Sequence, residues 1–196
     1  MATNEDIVTP ISGIENLTYE DANVLLNFQK LWMETITWMR NAFHSALGNL
    51  PDQPAAETQL FQKLPTDIYN EFKQYFSEEE SQQFLYYYYR LITDSWQIVN
   101  AYKNNDKTAI DLNIAQWNQT SDELAAFLAR ANKYWDENQW KTLFHNYLNL
   151  IINVITAFIN GNYDLETKMY NELEKIAIQI ASYMAMGIIA MKHTFS

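Results

Sequence analysis

Apolar residues recur at alternating three- and four-residue intervals along most of the chain, the period of helices that bury one side. The first such stripe reads Leu25, Phe28, Trp32, Ile36, Met39, Phe43 and Leu47. It predicts a long helix opened by Thr18 with Asp21 as a capping box and ended by Gly48. Beyond it NLPDQP turns the chain, and Pro54 suits the first turn of a short helix to about Lys63. Pro65 is expected to break that helix, with Thr66 capping another short one to about Phe76. The sequence SEEE at 77–80 is a second capping box, three acids facing the positive end of the helix dipole. The long helix it opens carries Phe84, Tyr88, Leu91, Ser95, Ile98 and Tyr102.

Asp106 is placed to cap the next helix, whose stripe Ile110, Ile114, Trp117, Ser121, Leu124, Leu128, Ala131 is an unbroken seven-residue repeat. TSDE at 120–123 imitates a cap, but the stripe passes through it in phase, which predicts one helix there. Asp136 with Gln139 opens the following helix and Gly161 closes it. The last, from about Asp164 to Lys192, carries Leu173, Ile176, Ile180, Met184, Gly187 and Met191. Its Ala177, Ala181 and Ala185 lie four apart, a spacing that admits close approach of a neighbouring backbone. The hairpins 78–132 and 136–193 have turns in corresponding places, too few identities to establish a tandem duplication.

The stretch Trp140 to Asn160 stands apart because no charged residue lies between Lys141 and Asp164. Its apolar residues cover most of a helical circumference, so other helices are expected to enclose it. The remaining side is a row of neutral polar groups, Thr142, Asn146, Asn149, Asn153, Thr156 and Asn160, aligned by their spacing. A solvated face is the plain reading of this row, although so acidic a chain would ordinarily collect Glu or Lys there. An interface is the second, with amides bonding to another helix or protomer where unpaired charges would be costly to bury. A cavity lining is the third. Asn146, Asn149, Asn153 and Asn160 are the candidate interface residues. Three asparagines and His145 within the apolar run weigh against a transmembrane segment, so no membrane span is expected.

Composition narrows the picture. In 196 residues with 48% hydrophobic content, four prolines and four glycines, and with no proline after Pro65, one all-α domain with long helices is expected. It should span 18–196 behind a flexible arm at 1–17. A formal charge of -11 without a local basic cluster argues against nucleic acid and anionic lipid as partners. The absence of cysteine excludes disulfides and thiolate chemistry. The N-terminal segment has neither a basic start nor an apolar core, so it does not resemble a signal peptide, and a cytoplasmic location is expected.

Little catalytic chemistry is visible. The three histidines, His44, His145 and His193, belong to no Glu-x-x-His pair, which a di-iron carboxylate bundle requires on two helices. His145 flanks an apolar stripe and is expected to be a hydrogen-bonded structural residue. Glu78, Glu79 and Glu80 cap a helix, and Glu166, Glu172 and Glu174 punctuate what reads as a solvated face. No phosphate loop or nucleophile motif is present. The tyrosines at 86–89 point in four directions on a helix, a mixture of core and surface rings rather than one platform.

The segment QWNQTSDELAAFLARANKYWDENQW, residues 116–140, resembles an uncharacterised all-helical family of spore-forming Gram-positive bacteria. Its members show a tryptophan, a segment like NADEIAxFL, then NPYW and a further tryptophan. Trp117, Asp122, Glu123, Phe127, Leu128, Tyr134, Trp135 and Trp140 fit that pattern, and weaker agreement reaches Trp32, Arg40, Pro65, Asp106 and Gly187. The resemblance implies the helical fold and no particular activity. It also implies histidines in three helices and an aspartate in the last, at positions held here by Thr35, Leu91, Tyr147 and Ser182. This chain departs from the family at all four, so no metal site is carried over, and the four become candidates for lining a residual cavity.

The fold expected is therefore an up-and-down antiparallel bundle of four to five long helices with a short helical crossover. The function expected is that of a non-enzymatic interaction or scaffold protein, a homo-oligomer or the holder of a protein partner, needing no cofactor. The alternative is a small-ligand-binding or degenerate metal-binding, ferritin-like bundle.

Overall fold

The computed structural model describes residues 17–194. The expected arm at 1–17 therefore lies outside the described residues, apart from Leu17. The helices are α1 (Tyr19–Gly48), α2 (Gln53–Thr58), α3 (Leu64–Phe72), α4 (Glu78–Lys103), α5 (Lys107–Ala131), α6 (Glu137–Ile159) and α7 (Tyr163–Thr194), with a π turn, Gln59–Lys63, joining α2 to α3. No strand occurs among the described residues.

Caps set the helix starts. Thr18 accepts from the Asp21 N–H while Asp21 reaches back to the Thr18 N–H, and Ser77 and Glu80 repeat the arrangement. Each satisfies backbone donors that the first helical turn leaves unpaired. Asp106 and Asp136 accept from Ala109 and Gln139 in the same sense. Ser77→Ala is expected to cost about 1 kcal/mol in urea unfolding. The reversal after α1 is made not at Gly48, which is the last residue of the helix, but at Asn49 with φ 52.

Side-chain pairs give the directions. On α1 and α4, Thr35 meets Tyr88, Phe43 meets Trp96, and Lys103 reaches the Ala46 carbonyl. These two helices are parallel, so α2 and α3 form the expected crossover, carrying the chain back between them. Ser95 with Trp117, Asp122 with His145, and Trp140 with Tyr183 show that α4, α5, α6 and α7 alternate in direction. α7 also runs antiparallel along α1, joining Gln29 to Ser182 and Arg40 to Glu166. Five long helices result, and α6 packs against α5, α7 and α1.

Pro65 does not break the crossover helix as expected. Its ring nitrogen cannot donate to the Phe61 carbonyl, and the ladder slips instead, with the Leu64 N–H bonding to the Gln59 carbonyl five residues back. Thr66 is no cap; its hydroxyl bonds back to the Gln62 carbonyl inside the continuing helix. Glu166 is also not on a solvated face but 2% exposed. The tyrosine run divides as read, with Tyr88 buried, Tyr87 half-buried, and Tyr86 and Tyr89 exposed.

The expectation that no segment is suited to span a membrane is corrected. Both α6 and α7 are long and apolar enough, with windows of mean hydropathy 1.4 and 1.3. In α6 the leucines, isoleucines and phenylalanines outweigh the asparagines. In α7 the charges gather in the first half, leaving the stretch between Lys175 and Lys192 uncharged. This is a property of length and composition, which buried core helices share; within the bundle these windows are 44% and 67% buried.

Candidate functional site

Three of the four residues at the departures from the resembled family meet in one interior layer. Thr35 donates its hydroxyl proton to the Leu31 carbonyl at 2.7 Å and so accepts from the Tyr88 hydroxyl at 2.6 Å. The Tyr88 ring stands edge-on to Trp32, which stands edge-on to Tyr147, both at 6.1 Å between centroids. Tyr147 stacks on Trp117, whose indole N–H donates to Ser95 at 2.9 Å, and Ser95 donates in turn to the Leu91 carbonyl at 2.8 Å. Thr35 and Tyr147 thus border a layer filled with aromatic rings, which Leu91 joins through its carbonyl. Ser182 lies apart on the α1–α7 seam, accepting from Gln29 at 3.1 Å. Burial pushes the Tyr88 and Tyr147 phenols well up from their ordinary value, so both stay neutral donors. Among the described residues the buried indole N–H groups of Trp32 and Trp140 have no partner.

The polar clusters lie on seams between helices. All three histidines contact a carboxylate on another helix: His44 with Glu166 at 3.1 Å, His145 with Asp122 at 2.9 Å and His193 with Asp21 at 2.9 Å. His145 is hydrogen-bonded, as expected, though its pair with Asp122 is half exposed. Burial raises the Glu166 carboxyl, but the bonds and charge of Arg40 and the contact with His44 together hold it below the ordinary glutamate range. Burial likewise raises Asp21, and its bonds from Thr18 together with His193 outweigh that and hold it low. Asp94 goes the other way, raised by burial beyond what its bond from Thr120 recovers. Among the described residues no three histidines or carboxylates gather so as to hold a metal ion.

The asparagine row runs along the outer side of α6, with Asn149, Asn153 and Asn160 exposed and Asn146 half-buried. Beside it, α5 behaves as two halves. Residues 117–128 supply Trp117, Leu124, Phe127 and Leu128 to the core, whereas no residue of 107–116 is buried, despite an equally regular stripe. Leu112 is 66% exposed there, and Ile159 at the end of α6 is 45% exposed. α5 accordingly packs much less extensively on α6 than α6 does on α7. The stripe residues Ile110 and Ile114 are only half-buried, Ile114 packing at the margin of the core, and sequence periodicity could not show this thinner burial.

No protein-family model, curated protein or solved structure matches the chain. What the fold defines is its class, an all-α bundle of five long helices with a helical crossover.

Proposed function

We propose that this chain is a non-enzymatic interaction protein that associates with a second copy of itself through the outer face of α6 and the first half of α5. The observation that supports the reading is the charge-free row of asparagines along the outer side of α6, with Ile159 at the end of α6 and Leu112 on the first half of α5 exposed. In a chain of net charge -11, most contacts between two copies bring like charges together. The asparagine row carries no charge, and its amides can pair reciprocally in a two-fold arrangement while Leu112 and Ile159 lose their contact with water.

Light scattering over a dilution series tests it directly. The protein is expected to be larger than a monomer at micromolar concentration, and Asn149→Glu with Asn153→Glu should weaken association by about a hundredfold, since both copies then bury unpaired carboxylates. A strictly monomeric wild-type chain at high micromolar concentration would sink the proposal.

A further inference from the structure

The π turn, α3 and α4 border a second feature, an open groove of about 440 Å³, a size suited to a small organic ligand. Tyr86 and Tyr89, 55% and 42% exposed, lie three residues apart on α4 and so share one side of it. Their rings are held without being covered. Phe61 of the π turn packs edge-on against Tyr89 at 6.3 Å, and the Arg90 guanidinium lies 5.6 Å over the Tyr86 ring and donates to its hydroxyl at 3.3 Å. A π turn as one wall is itself a backbone geometry found often at working sites.

The charge of the lining restricts what would bind. Among the described residues no carboxylate lines the groove, and the Arg90 guanidinium already lies over the Tyr86 ring, where a second cation would meet it. Its one cation, Arg90, is already shared between Tyr86 and Glu123, and an anion would approach a chain of net charge -11. The remaining polar groups are neutral: the Gln62 amide, the Thr66 hydroxyl, which donates to the Gln62 carbonyl, the Gln82 amide, whose nitrogen bonds Tyr69 and Glu78, and the Tyr89 hydroxyl. Exposed ring faces edged by neutral donors and acceptors complement a ligand with apolar C–H faces and a rim of hydroxyls. We propose that this groove binds a short neutral oligosaccharide, one sugar ring stacking on Tyr86 and Tyr89 with its hydroxyls bonding Gln62 and Gln82. The inference is independent of self-association.

Saturation-transfer NMR on the full chain with maltotriose, cellotriose and chitotriose is the test. Transfer to the sugar-ring protons of at least one probe is expected. It should fall about tenfold in the Tyr86→Ala, Tyr89→Ala double variant, whose changes remove exposed rings and leave the core intact. Tyr19→Ala, a ring 83% exposed at the start of α1, should retain the full signal. The proposal is overturned by no transfer to any of the three sugars or by equal transfer in the double variant. It is equally overturned if a decaproline peptide gives tyrosine-dependent transfer and the sugars give none.

Discussion

Gly187→Ala is expected to destabilise the bundle by about 3 kcal/mol, at the top of the range for overpacking a core, because the space a side chain needs is already occupied. A Cβ at 187 would lie 1.9 Å from Nε1 and 2.4 Å from Cδ1 of Trp135. That indole has nowhere to retreat. It is 3% exposed, lies against Phe76 and Trp140 at 5.6 and 5.7 Å, and donates to the Tyr183 carbonyl at 3.2 Å. Tyr183 in turn accepts the Asp136 N–H at 2.7 Å, so displacing Trp135 disturbs the entry to α6 as well. Gly161→Ala is the control: it meets no atom within 4 Å and suffers only from its φ of 69°, a cost of about 1 kcal/mol. Chemical denaturation of a double-mutant cycle separates the causes. Trp135→Leu alone should cost about 3 kcal/mol, and adding Gly187→Ala to it should cost little more. Strictly additive losses would mean that the indole is not what excludes the methyl.

Gly187 also shows where the sequence stopped being readable. It read only as a member of an apolar stripe, and nothing in the sequence showed that a side chain from the turn before α6 occupies the space beside it. Features set within four residues were legible: the Thr18 and Ser77 boxes, the Asp106 and Asp136 caps, and the continuity of α5 through TSDE. The apolar circumference of α6 foretold its packing against α5, α7 and α1 but not that its outer side stays exposed. Non-local features were not legible. A regular stripe is the same string whether a helix covers it fully or in part, which is why the thinner burial of Ile110 and Ile114 was invisible. Pro65 carried the usual signal for a helix break, and only the tertiary path of the crossover made a one-residue slip of the ladder preferable. Glu166 looked like its neighbours Glu172 and Glu174, because its partner Arg40 is distant in the chain. Of the residues at the resembled family's departures, Thr35, Leu91 and Tyr147 do share one layer, yet nothing in their spacing foretold that rings from Trp32, Tyr88 and Trp117 fill it.

Breaking the Arg40–Glu166 pair should be the other large loss, and its size should depend on which partner is removed. Arg40 donates from two nitrogens to both oxygens of Glu166, at 2.7 and 2.6 Å, while its guanidinium lies 4.3 Å over the Tyr170 ring. The Glu166 side chain is 3% exposed and that of Arg40 30%. Arg40→Met strands a carboxylate with only His44 for a partner and should cost about 3 kcal/mol at neutral pH. Glu166→Gln leaves a cation that can turn to water, and about 1–2 kcal/mol is expected. In the wild type the folded carboxyl lies below the ordinary glutamate value of 4.5, so its contribution is complete above that pH and is lost as pH falls through the folded pKa. His44, lowered mainly by burial from 6.5, acts in the same direction, contributing in full above 6.5 and losing its contribution on acidification. In Arg40→Met the sign for Glu166 reverses, since burial then dominates and raises the carboxyl; the folded state takes up its proton before the unfolded chain does. His44 is also freed from the nearby guanidinium and protonates more readily beside the carboxylate. The deficit of Arg40→Met relative to wild type should therefore shrink between pH 7 and pH 5, whereas that of Glu166→Gln should change far less. Urea unfolding of the three proteins at both pH values decides it, and an Arg40→Met deficit that is constant or grows toward pH 5 would show that Arg40 is not what keeps Glu166 ionised.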